Sequence, residues 1–306
     1  MSKGLKGNLM LLGAAFIWGV TFVAQMQGMD HVGPFTFTWA RFLLSLLFLL
    51  AIWQIGQPQR RIAKSIGQYK PGWRAGILAG SSMIIASLLQ QYSMLYTTAG
   101  KAAFITALYM VIVPIGAVLL GRRLHIWNWV GAFIAVVGMY MLSIHGAVTL
   151  NFGDVLLFIS TFFWAGQILI VDRFAQDVDN IELSVAQVFV CMIVGGGFMV
   201  AFEEPTLAGI GEAWFPILFS GIFSGGIAFT LQIVGQRYAD PAPAAVLMSC
   251  ESIFGALASW LLLGEMMSLS QITGCVLMFI GCIVTQLGLF LKPRPERAAG
   301  DRDAQT

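Results

Sequence analysis

Charge is what this sequence has least of: Asp, Glu, Lys and Arg together make up 10 % of it, against 58 % hydrophobic residues. Soluble domains carry roughly a quarter charged residues. A water-soluble fold has no use for so much apolar surface, so the solvent that fits this composition is lipid. Cysteine is also scarce. Cys191, Cys250, Cys275 and Cys282 stand inside apolar runs without CxxC spacing, which favours buried small hydrophobes over a disulfide or metal framework. No HExxH, GxSxG or Walker loop and no paired intramembrane aspartates occur. That removes the common hydrolytic sites, any motif for a cofactor or metal, and an ATP motor within the chain. The 17 Lys and Arg nearly balance 15 Asp and Glu, so the net charge of +2 says little about partners, and no nucleic-acid partner is expected.

What the chain does have is apolar runs of spanning length, separated by short polar breaks. The pattern predicts helices near 8–29, 34–54, 73–93, 99–120, 126–144, 151–172, 182–202, 212–235, 241–263 and 268–291, ten in all. Free backbone cannot find hydrogen bonds in a bilayer core, so these runs must be helical. The first lacks a small-x-small cleavage site and is read as a retained helix. Only the break from Gln57 to Gly72 is long, and the polar stretch 292–306 reads as a disordered cytoplasmic tail.

Lys and Arg concentrate on one side of this arrangement. Lys3, Lys6, Arg60, Arg61, Lys64, Lys70, Arg74, Arg122, Arg123, Arg173 and Arg237 fall between alternate pairs of helices, as do the tail cations. The opposite loops hold Asp30, Asp154, Glu203, Glu204, Glu212 and Glu265. By the positive-inside rule both termini are cytoplasmic.

The chain also repeats itself. Thr98 to Arg123, TAGKAAFITALYMVIVPIGAVLLGRR, is echoed by Pro241 to Glu265, PAPAAVLMSCESIFGALASWLLLGE. Both end in Leu-Leu-Gly, one followed by Arg122 and the other by Glu265, so the two copies exit on opposite sides. Gly131 and Gly138 correspond to Gly274 and Gly281, and Gly7–Gly19 echoes Gly153–Ala165, aligning Phe16 with Phe162 and Trp18 with Trp164. Five helices form one unit. An odd-numbered unit inserts its second copy upside down, which is the inverted repeat of secondary transporters, with substrate held near the midplane between halves. The expected units are 1–145 and 146–291.

Four segments carry a family resemblance: LGAAFIWG in helix one, WARFLLSLLFLL in helix two, TTAGKAAFITALYMVIVPIGAVLLGRRL in helix four and ESIFGALASWLLLGE in helix nine. Over residues 5–291 the chain resembles the EamA branch of the drug/metabolite transporter superfamily. The resemblance implies a multi-pass carrier or exporter of the bacterial inner membrane, with a central cavity between two five-helix bundles. Helix nine of the family often carries Glu-Pro where this chain has Glu251-Ser252, so a kink there is less expected.

The candidate substrate contacts are Trp18, Arg41, Gln90, Tyr109, Trp164, Gln167, Glu251 and Ser252. Glu251 lies mid-helix, where a charge costs about 2.5–3.5 kcal/mol, so it must face a cavity or a partner. It suits a substrate amine, a proton-coupling carboxylate or a structural tie. Arg41 suits a substrate carboxylate, although snorkelling onto an acid or a helix carbonyl weighs more. Lys101 opens helix four and is expected to snorkel. Trp18 and Trp164 lie inside helices rather than at the interface, where they suit an aromatic or amphipathic ligand or plain packing. Tyr109 aligns with Ser252 in the repeat. Gln90, Gln91 and Gln167 suit a cavity or interhelical bonding, and the glycines of helices five and ten suit self-association or internal packing.

The resulting expectation is a secondary transporter exporting small organic metabolites such as amino acids, monomeric, in a lipid bilayer, with proton coupling through Glu251. The alternatives are a multidrug or organic-cation efflux carrier, a non-transporting sensor or scaffold, or an intramembrane transferase. The last would need a polar catalytic cluster, and only scattered single residues occur.

Overall fold

The computed structural model describes residues 3–97, 99–143, 151–263 and 266–291. Thr98, Glu265, the expected boundary at 145/146, the tail and the Lys101 side chain lie outside what it describes. In chain order the helices are α1 (Lys3–Met29), α2 (Pro34–Ile55), α3 (Gln57–Ser65), α4 (Trp73–Ser93), α5 (Ala99–Ala107), α6 (Tyr109–Leu119), α7 (Ile126–Ser143) and α8 (Phe152–Phe174). There follow α9 (Asn180–Phe202), α10 (Leu207–Glu212), α11 (Trp214–Phe219), a π-helical stretch (Ser220–Ala228), α12 (Phe229–Gln236), α13 (Pro241–Met248), α14 (Glu251–Leu263) and α15 (Leu269–Leu291). No strand occurs among the described residues.

Local chemistry sets the starts. Proline, whose missing N–H is no loss in a first turn, opens α2 and α13. Asn151 and Asp154 form a reciprocal capping box at α8, and Asp179 accepts from the Glu182 amide at the head of α9.

Among the described residues, eight helical segments are long and apolar enough to cross a membrane. Two of the ten expected spans fall short of that measure. Helix α4 carries Arg74, Ser81, Ser82, Gln90 and Gln91; Arg74 and Ser81 are exposed, whereas Gln90 and Gln91 are buried in a helix that packs along α8 and α9. Helix α7 is a shorter apolar helix, Ile126–Leu142. Two segments expected as polar breaks contain short helices, α3 and α10. Within α3, Arg60 turns inward to Asp179 at 2.8 Å.

The main packing runs between the halves of the sequence rather than within them. Helix α1 lies against α12, α14 and the π-helical stretch, α2 against α9, α4 against α8 and α9, and α7 against α15. Two separate five-helix bundles are therefore not what the chain forms; its halves interleave. The α7–α15 contact is antiparallel. A Cβ on Gly138 would stand 2.6 Å from the Gly274 carbonyl oxygen, and one on Gly281 2.6 Å from that of Gly131. Backbones this close leave room for hydrogen alone, so these glycines are consumed by internal packing. A second contact also occurs twice: Gly7 at the head of α1 meets Gly235 and Tyr238, and Gly153 at the head of α8 meets Ser93 and Tyr96.

Two membrane-length segments are broken near their middle. Between α5 and α6, the Leu108 amide bonds the Ile105 carbonyl and the Val111 amide bonds that of Leu108. Between α13 and α14, Cys250 bonds Leu247 and Ser252 bonds Ser249, again three residues back. Such bonds tighten the turn and offset the helix on either side. The Ser249 hydroxyl also takes the Val246 carbonyl, 2.7 Å away. Helix nine thus breaks before Glu251 without the proline.

Candidate functional site

The breaks bring Tyr109 and Glu251 to the first positions of α6 and α14, and the Tyr109 hydroxyl donates to Glu251 Oε1 at 3.2 Å. Both line a cavity enclosing about 580 Å³ of empty space, its open mouth included. Trp18, Phe22 and Gln25 recur at helical spacing along one face of α1 and form one wall. Arg41 comes from α2, Gln90 from α4, Trp164 and Gln167 from α8, and Phe229 and Gln232 from α12.

Seven of the eight side chains singled out from the sequence meet in this cavity. Ser252 does not. It is buried, 4 % exposed, and its hydroxyl has no hydrogen-bond partner. The residue matching Tyr109 is Glu251, not Ser252. One step along an α-helix turns a side chain by about 100°, and that step separates the cavity wall from the packing behind it. Sequence reasoning also missed Gln25, Thr106, Phe229 and Gln232. A signal for Gln232 was present: Gln90 with Gln232 and Thr106 with Met248 share the 142-position spacing of Tyr109 and Glu251. Trp18 with Trp164 and Phe22 with Ile168 share another.

One aromatic ring stands between the two tryptophans. Phe229 stacks on Trp164 at 6.1 Å, nearly parallel, and meets Trp18 at 5.0 Å with a 56° tilt. Toward the end of the molecule that carries the α2–α4 connection, the cavity closes on an amide ladder. Gln167 donates to Gln187 at 3.0 Å, Gln232 donates to Gln167 at 3.0 Å, and Gln236 donates to the Ile168 carbonyl. Beyond it Arg122 pairs with Asp172 at 2.9 Å and Arg60 with Asp179. Tyr69 donates to Glu182 there; its burial first, then that bond, hold the phenol above its ordinary pKa.

The end that carries the α1–α2 turn is held differently. Glu203, at the close of α9, accepts from the amides of Phe35 and Thr36 at 2.9 and 2.7 Å and so anchors the first turn of α2. Arg41, further along α2, has neither the acid nor the carbonyl partner expected of it among the described residues. Its guanidinium rests over the Phe42 ring at 4.8 Å, and Nε has no hydrogen-bond partner. No group of three or more metal-ligating side chains occurs among the described residues.

A family model described as the EamA-like transporter family matches the chain twice, at residues 5–144 and 151–287. An uncharacterized transporter of Archaeoglobus fulgidus is 28 % identical over 292 residues, covering 93 % of this chain and 87 % of its own. The uncharacterized transporter YoaV of Bacillus subtilis is 21 % identical over 293 residues, covering 90 % and 95 %. One solved crystal structure overlays with a TM-score of 0.75 at 19 % identity, covering 92 % of this chain and 96 % of its own, which shows a shared fold.

Proposed function

Because this chain belongs to the EamA-like transporter family, a family of multi-pass membrane transporters of small solutes, we propose that it is a secondary transporter exporting small organic metabolites such as amino acids, by alternating access around the cavity. The observation that carries this reading is the cavity itself. It holds one guanidinium, one carboxyl group, several amides and an aromatic wall at the depth where two helices break. Broken helices at a central site are a recurrent device of secondary transporters, because unwound backbone is tolerated in a membrane where it lines a cavity.

The architecture that goes with this function is ten spans in an inverted five-plus-five repeat, units 1–145 and 146–291, with 292–306 as a disordered cytoplasmic tail. Support comes from the double family match, the twofold glycine contacts of α7 and α15, and the paired spacing of the cavity residues. Both termini are assigned to the cytoplasm of a bacterium and the spans to its inner membrane, since Lys and Arg gather at the α2–α4 end. On that assignment the amide ladder is the inner floor and the α1–α2 end faces outward. Glu251 couples transport to protons, and the carrier works as a monomer.

An organic-cation efflux carrier is the second reading, favoured by Glu251 beside the aromatic wall. Counterflow in proteoliposomes tests the carrier: vesicles loaded with unlabelled amino acid should transiently concentrate the labelled one. A labelled pool that only equilibrates, for every amino acid and organic cation tried, would leave a sensor or scaffold standing.

A further inference from the structure

We propose that the α1–α2 end of the cavity is a carboxylate-binding subsite centred on Arg41, so that the solute is a single-carboxylate organic molecule whose apolar body lies on the Trp18–Phe229–Trp164 wall. The inference rests on the transporter reading and adds the chemistry of the cargo.

Arg41 is 8 % exposed, lines the cavity, and is joined to no acid among the described residues by any ion pair or hydrogen bond. A guanidinium removed from water and left unpaired is costly, and the cost is recovered when an anion arrives. Two further residues that line the cavity carry buried donors without a hydrogen-bond partner, Trp18 at Nε1 and Thr106 at its hydroxyl, the latter on a residue 3 % exposed. The planar fork of Arg matches two carboxylate oxygens at once, which an ammonium group cannot do. Charge balance limits the ligand to a monoanion or a zwitterion. The cavity offers one fixed cation, and Glu251 on its wall leaves no surplus for a phosphate dianion. At the far end, Gln167 Nε2 gives both of its hydrogens and Gln232 Nε2 one of its two to neighbouring amides, which leaves the Arg41 end better equipped for an anion.

The test uses the full chain in detergent and in proteoliposomes with four probes that share a phenyl ring: 3-phenylpropionate, L-phenylalanine, L-phenylalaninamide and phenethylamine. The two carboxylates should raise the melting temperature and compete in counterflow, and the two cations should do neither. Arg41→Gln should weaken carboxylate binding about 10- to 100-fold, the worth of a charge-assisted hydrogen bond. Thr106→Val, which leaves the cation in place, should weaken it several-fold and keeps the idea testable if the first variant does not fold. Equal binding of amide and acid, unchanged acid binding in both variants, or binding of none of the four overturns the subsite. Carboxylate binding without counterflow overturns the carrier and leaves the subsite in place.

Discussion

Trp164 donates its ring nitrogen to Gln90 at 2.7 Å, whereas Trp18, the matching tryptophan of α1, has no partner for its own. The same contrast holds between α2 and α9. Ser45 on α2 donates to the Gly221 carbonyl and Cys191 on α9 to that of Gly80, two versions of one contact. One turn before each stands a polar side chain. Gln187 is held in the amide ladder, and Arg41 by no hydrogen bond or ion pair among the described residues, only by its contact over the Phe42 ring. Matching positions thus differ: side chains at one end bond one another, although Gln187 Nε2 and Gln236 Oε1 stay unpartnered, and Arg41 and Trp18 make no such bonds. Ends bonded this unequally are what a carrier caught on one side of its cycle would present, since each end must in turn be closed by the protein and opened to solute.

Three experiments bear on this contrast. The largest effect is expected at Glu251, where the two halves touch through Tyr109. Glu251→Gln should lower proton-driven transport about ten-fold or more and flatten its pH dependence, measured in vesicles with and without an imposed pH gradient. Transport that keeps its pH profile would remove the proton role. A middle-sized effect is expected at the end whose side chains bond one another. The double change Gln167→Ala with Gln232→Ala removes the ladder and should destabilise the protein by about 1–2 kcal/mol, while making the floor accessible to thiol reagents at a cysteine placed at Ile168. An unchanged labelling rate would mean that the ladder is not the closure. The smallest effect separates the tryptophans. Trp164→Phe strands the Gln90 carbonyl and should cost about 0.5–1 kcal/mol, whereas Trp18→Phe removes a donor that bonds nothing and should be neutral in thermal unfolding. Equal costs would erase the asymmetry.

Much of this was legible in the sequence for a physical reason: lipid forces long apolar runs, so helix limits near 34–54, 73–93 and 241–263 fall within a residue or two of α2, α4 and α13–α14. One pairing was legible too: Trp18 and Trp164, aligned in the sequence, both line the cavity. What the sequence did not yield was angular. Whether Glu251 or Ser252 faces the cavity depends on a break held by main-chain bonds three residues back, and no side-chain pattern encodes that register. Nor did spacing reveal that Arg41 stays unpaired, since that depends on which acids other helices bring near. Asp179 and Asp172 were as available by sequence as any, but the fold gives them to Arg60 and Arg122.

The interleaving of the two halves bears on how the protein is made. Helix α1 finds its packing partners in α12 and α14, α2 in α9, and α7 in α15. Helices emerging from the ribosome early must therefore wait in the bilayer for neighbours synthesised at the end of the chain. Sequence-distant contacts of this kind slow folding and lengthen the time for which unpaired surfaces are open to wrong partners. The glycine faces of α7, bare until Gly274 and Gly281 arrive, are the surfaces most in need of a chaperoning lipid or protein during that interval.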